Sequence, residues 1–136
     1  MIRPIVHDPM FLSLRSSPAT EEDAAVITDL TDTLRAHQDR CVGLAANMIG
    51  VRKRIIVYAA GPIQAVMVDP EIISRSGPYD TEEGCMSLPG VRPVRRYRKI
   101  TVRYRDRAFR ERTGTFEGFT AQIIQHEIDH CDGKLI

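Results

Sequence analysis

Phe119-Thr120-Ala121-Gln122-Ile123-Ile124-Gln125-His126-Glu127-Ile128-Asp129-His130-Cys131 runs without a single Gly or Pro, and the rest of the chain is best read outward from it. At 3.6 residues per turn, Ala121, Ile124 and Ile128 fall on one side of a helix, with Phe119 and Ile123 on the other. A helix that is apolar on opposite sides is expected to be largely buried. Inside it, His126-Glu127-Ile128-Asp129-His130 is an H-E-x-x-H run. The spacing of four puts both imidazoles on one face, where they can chelate one ion. Glu127 is rotated by about 100° from His126, so it can reach a water on that ion without ligating the ion itself. That is where a general base belongs. The plainer alternative is a pair of ordinary core or surface histidines.

Two imidazoles leave a catalytic metal site short of a protein ligand. Only six residues follow His130, and Cys131 points about 100° away from it, as a small buried residue would. The third ligand is therefore expected upstream, among Cys85, Cys41, His7, His37 and the carboxylates. Cys85 stands out by its surroundings. Glu83-Gly84-Cys85-Met86-Ser87-Leu88-Pro89-Gly90 sets the thiol between a permissive glycine and a Pro-Gly turn, where a substrate can approach the main chain. Three cysteines cannot all pair, and the wide spacing of Cys41, Cys85 and Cys131 speaks against a disulfide framework.

Further upstream, Thr20 followed by Glu21, Glu22 and Asp23 reads as a helix start, with a hydroxyl cap and acids at the positive end of the dipole. Ala24, Ile27, Leu30 and Leu34 share a face, so a helix over 20–38 packs against something apolar. Ile55-Ile56-Val57-Tyr58, Ala65-Val66-Met67-Val68 and Ile72-Ile73 are branched segments bounded by Gly or Pro and predict strands. Ile100-Thr101-Val102-Arg103-Tyr104 alternates, and Arg112-Thr113-Gly114-Thr115 is expected to turn before Phe116, giving an antiparallel hairpin. The expected fold class is α+β: a single domain spanning 1–136, with an N-terminal helix, antiparallel strands and a buried metal-binding helix.

Composition narrows the function by exclusion. With 43% apolar residues, 27% charged residues and a net charge of +1, the chain resembles an ordinary globular protein, and bulk charge selects no partner. No apolar stretch approaches the roughly 20 residues that span a bilayer, and Met1 to Pro9 lacks the features of a secretory signal. A cytoplasmic protein with no membrane span is expected. Charge is uneven locally: nine arginines and Lys99 lie between Arg92 and Arg112, against only Asp106 and Glu111. This stretch is either the solvated face of the hairpin or a contact for ribosomal RNA or an acidic partner.

Gly43-Leu44-Ala45-Ala46, Glu83-Gly84-Cys85-Met86-Ser87 and His126-Glu127-Ile128-Asp129-His130 together resemble the peptide deformylase family, in order and in separation. The resemblance extends over nearly the whole chain, the first helix included. It implies that Cys85, His126 and His130 ligate a metal, usually Fe2+ in the cell and often zinc or nickel after purification, with water in the fourth position. A thiolate and two imidazoles suit iron, zinc, nickel and cobalt alike. The resemblance further implies that Glu127 moves the proton as a formyl group leaves the N-formylmethionyl end of a nascent chain or peptide. In the family the oxyanion is held by the backbone N–H after the cysteine, here Met86, and by a glutamine side chain, whose position is Met48 here. A thioether donates no hydrogen bond, and the adjacent Asn47 would have to point differently. Substrate contacts carry over to Val42, Gly43, Gly84, Phe119, Gln122 and Ile123. Cys41 replaces the first glycine of its segment, and Gln122, expected on the metal-facing side one turn before His126, alters the methionine pocket. Asp129 is expected to brace an arginine, Arg96 in particular. The C-terminal helix that many relatives use at the ribosome is not expected, since the chain stops soon after His130. Two other readings stand beside the enzyme: a peptide-binding module with weak turnover, favoured by Met48, and a closed structural site made of Cys41, Cys85, His126 and His130.

Overall fold

Thr20 starts the first long helix by a reciprocal cap. Its Oγ1 accepts from the Glu22 N–H, while its own N–H donates to the Asp23 carboxylate. The computed structural model describes residues 1–136. A short helix α1 (Pro9–Leu12) comes first, and a 3-10 turn at Glu21–Asp23 leads into α2 (Ala24–Ala36), whose Ile27, Leu30 and Leu34 are buried. Five strands follow: β1 (Gly43–Ala45), β2 (Ile55–Ala60), β3 (Ile63–Gly84), β4 (Val91–Arg105) and β5 (Glu111–Glu117). They form one antiparallel sheet in chain order, so each strand pairs with its sequence neighbours. The chain closes with α3 (Gly118–Cys131).

Two expected strands, Ala65–Val68 and Ile72–Ile73, belong to the single strand β3. Its pairing with β4 shifts register between Val68 and Glu71 and again between Ile72 and Ser74, with Asp69 at a φ of 51°. Such bulges bend a long strand. The expected turn at Arg112–Thr115 is not a turn. These residues lie inside β5, with Gly114 opposite Val102. A Cβ on Gly114 would stand 3.0 Å from the Phe116 ring, so this glycine makes room for an aromatic neighbour. The chain instead reverses at Asp106–Arg110, where the Asp106 carboxylate accepts from the Ala108 and Arg110 N–H groups.

The core joins α2, α3 and the sheet through Leu30, Leu44, Ile56, Met67, Ile100 and Ile124, all at most 1% exposed. Helix α3 packs on β1, β2, β4 and β5. Ala121, Ile124 and Ile128 are buried as expected, but Phe119 is 64% exposed and does not form a second apolar side. The other buried side of α3 consists of Ile123 with His126, Glu127 and His130. Burying three ionisable groups on one helix face is costly unless each finds a partner.

Candidate metal centre

One turn of α3 separates His126 from His130, and their Nε2 atoms lie 3.1 Å apart. The end of β3 delivers Cys85, whose Sγ is 3.3 Å from His130 Nε2. The three ligand atoms all lie within 4.8 Å of one another. With metal–nitrogen and metal–sulfur bonds of about 2.05 and 2.3 Å, a tetrahedral site needs ligand separations of roughly 3.3 Å (N to N) and 3.5 Å (N to S). The two separations to His130 are close to these and the third is within 4.8 Å, so the donor set fits a metal in both chemistry and spacing. His7 and His37 lie outside the group: His7 Nδ1 meets the Ser87 carbonyl at 2.9 Å, and His37 Nδ1 the Thr33 carbonyl at 2.9 Å. Cys131 is buried and also outside it. Cys41 is no fourth ligand either: its thiol donates to the Gly43 carbonyl at 2.9 Å, and burial pushes it up to about 12.

Glu83 organises the ligand side of α3. Its carboxylate accepts from His126 Nδ1 at 2.8 Å, Gln122 Nε2 at 2.9 Å and Arg96 Nη2 at 2.6 Å. Burial works against its charge, but the bonds from His126, Arg96 and Gln122 prevail and hold it near 2. An ionised Glu83 can only accept, so His126 carries a proton on Nδ1 and turns its Nε2 toward His130, where loss of the second proton would free a lone pair for a metal. Arg96, 4% exposed, also donates from Nη1 to Asp129 Oδ2 at 2.6 Å, so one guanidinium ties β3, β4 and α3 together.

Glu127 sits beside this group, 4% exposed, with Oε1 lacking a partner. Burial raises its carboxyl to about 7. A Cβ on Gly43 would come within 2.8 Å of Glu127 Oε2, so the glycine of β1 permits this close approach. Between the imidazoles the proton is divided unequally. Burial opposes charge on both, but Cys85 and Glu83 raise His126 to about 10, whereas His130, with the His126 charge against it, falls to about 3.

Above these groups opens a cleft of about 500 Å³. Val42, Gly43, Gly84, Phe119, Gln122 and Ile123 all line it, as do Met48, Met86 and Cys41. The Met86 N–H donates to no protein acceptor. Asn47 does not reach the cleft, since its Nδ2 is committed to the His130 carbonyl at 2.9 Å. Arg40 and Glu82 also line the cleft, and no motif in the sequence pointed to them.

The polypeptide deformylase family matches the chain over residues 2–136. A protein of Clostridium beijerinckii named peptide deformylase is 54% identical over 136 residues, covering 100% of both chains. Another of that name, from Pelodictyon phaeoclathratiforme, is 39% identical across 99% of this chain and 77% of its own length. Among solved structures, a peptide deformylase from Legionella pneumophila superposes with a TM-score of 0.88 at 40% identity, covering 99% of this chain and 83% of that one. The Met-Ala-Ser-bound class I type b peptide deformylase of Acinetobacter baumannii gives a TM-score of 0.88 at 28% identity, with 99% and 97% covered. Matching in sequence over its full length and in fold, the chain belongs to the polypeptide deformylase family.

Proposed function

We propose that this chain is a metal-dependent hydrolase that removes the formyl group from N-formylmethionyl peptides of newly made proteins in the cytoplasm. The observation that carries the reading is the convergence of Cys85, His126 and His130 beside a buried, unpartnered Glu127 at the floor of the cleft. Cys85, His126 and His130 hold the metal, Fe2+ in our reading, with zinc, nickel and cobalt compatible with the same donors. When bound, such an ion supplies Lewis acidity toward the formyl oxygen and toward water. Glu127 takes the water's proton and returns it to the leaving amine, a task suited to a carboxyl raised to about 7. The Met86 N–H, free of protein acceptors, donates to the developing oxyanion. The peptide lies along Val42, Gly43 and Gly84, and its first side chain enters between Phe119, Gln122 and Ile123.

A transient ribosome contact through 92–112 is part of this reading. Arg95, Lys99, Arg103, Arg105 and Arg112 are paired with Asp80, Glu117, Glu71, Asp69 and Asp106. Contact with RNA therefore rests on Arg92, Arg98, Arg107 and Arg110, which hold no carboxylate, Arg98 lying over the Tyr79 ring. A second reading, a slow or inactive peptide-binding relative, rests on Met48, a residue of the cleft whose side chain donates no hydrogen bond. Anaerobic purification with metal analysis, followed by a formyl-Met-Ala-Ser hydrolysis assay, tests both. Stoichiometric metal with turnover supports the enzyme, metal with peptide binding but no turnover supports the module, and absence of metal binding defeats both.

A further inference from the structure

His130 is the one proposed ligand whose outer ring nitrogen is left without support. Its Nε2 faces Cys85 and His126, while its Nδ1 is buried without a hydrogen-bond partner. Five other buried side-chain atoms share that condition, Ser16 Oγ, Gln64 Oε1 and Glu127 Oε1 among them; the other two belong to Asn47 and Ser87, which are tied to His130 and to Cys85. Asn47 is fully buried with Oδ1 unpartnered, and its Nδ2 donates to the His130 carbonyl. Ser87 is 1% exposed with Oγ unpartnered, and its N–H lies 3.4 Å from Cys85 Sγ, the atom that is itself 3.3 Å from His130 Nε2. Buried polar atoms without partners are uncommon, and the orphaned Nδ1 of a proposed ligand, next in the chain of contacts to two residues with the same defect, calls for an explanation.

Their chemistry is complementary. On the reading of His130 as an Nε2 ligand, Nδ1 carries the ring proton and must donate. The His130 carbonyl can only accept, so the Asn47 amide must turn its nitrogen there and its oxygen away, as an acceptor. The Ser87 hydroxyl can donate or accept. A donor, an acceptor and a hydroxyl are a set that one internal water satisfies. We propose that Asn47 and Ser87 bind such a water, which accepts from His130 Nδ1–H and from the Ser87 hydroxyl and donates to Asn47 Oδ1. This fixes the tautomer and ring orientation of His130, as Glu83 does directly for His126. Asn47 and Ser87 are thus positioning residues for the metal.

The test compares Ser87→Thr, which keeps a hydroxyl, with Ser87→Val, which has the same shape without one, and adds Asn47→Ala. Zinc dissociation constants come from chelator competition, and melting of the metal-free proteins reports folding separately. Ser87→Val and Asn47→Ala should bind zinc about 10- to 100-fold more weakly, and Ser87→Thr within about three-fold of the natural chain. In 15N spectra of zinc-loaded protein, the His130 Nδ1–H should exchange slowly in the natural chain and the Thr variant, and rapidly in the Val variant. Equal zinc affinity and equal exchange for Thr and Val would overturn the proposal even if Asn47→Ala fails to fold. If the natural chain binds no stoichiometric zinc, the ligand assignment falls and this inference with it. Loss of formyl-peptide hydrolysis alone would count only against the enzyme.

Discussion

At the scale of single residues, two side chains beside the metal group carry opposite expectations. Glu127 is buried, and its Oε1 has no partner, so its carboxylate is free for proton transfer. Glu127→Gln keeps the shape and removes the base. Zinc or iron content should stay stoichiometric while formyl-Met-Ala-Ser hydrolysis falls by at least about 10²-fold. Unchanged turnover would remove Glu127 from the proposed chemistry. Met48 is 1% exposed and lines the cleft, and Asn47, the other candidate for the missing donor, is bound to the His130 carbonyl. Met48→Gln should therefore raise kcat by roughly ten-fold or more, with less change in KM, because an oxyanion donor acts on charge that appears in the transition state. Steady-state kinetics of both forms, loaded with the same metal without oxygen, decide this. A fast natural protein with no gain on substitution would show that the cleft needs no second donor.

At the scale of elements, the hold of the sheet on α3 runs through Arg96. This guanidinium of β4 reaches Glu83 of β3 and Asp129 of α3, and it is almost wholly buried. Arg96→Ala would leave the buried Glu83 carboxylate without its cationic partner, while Asp129 would keep only Lys134. Breaking a buried charge cluster from one side typically costs about 3–5 kcal/mol, and urea denaturation of the metal-free protein should show a loss of that order. Because Glu83 also orients His126, metal affinity should fall in the same variant. A loss below about 1 kcal/mol would place this cluster among exposed ion pairs of little consequence.

At the scale of the whole molecule, the packing of α3 against the sheet sets an alkaline limit on stability. Burial pushes the Cys131 thiol from 9.0 up to about 12, so the unfolded chain gives up this proton before the folded one does. The stability contributed is complete below about pH 9 and is lost as pH rises from 9 toward 12. Tyr58, raised by burial to about 12, adds to the same decline from its own starting value of 10.0. Cys131→Ala should flatten the fall in urea midpoint between pH 8 and pH 10.5 without abolishing it. Equal slopes for the two proteins would show that this buried thiol is not a cause of the decline.

Properties set by local periodicity were legible along the chain itself. The span of α3, its imidazoles on one face, the Thr20 cap and the alternating strands depend on residues a few positions apart, where helix and strand geometry leave little choice. Cys85 drew attention through its Gly and Pro neighbours, and Arg96, singled out from the basic stretch as the arginine for Asp129, does pair with it. What depended on distant partners was decided only by the fold. Gly114 looked like a turn until Phe116 was seen to need its space, and the reversal fell instead to the Asp106 carboxylate. Phe119 fits an apolar stripe, yet the fold leaves it largely exposed along the cleft. Cys41 and Asn47 have the right chemistry for the site but turn to the Gly43 and His130 carbonyls. A helix repeat sets where a side chain starts; its direction and partners come from elements brought together across tens of residues, because buried polar atoms take whichever partner packing places within reach.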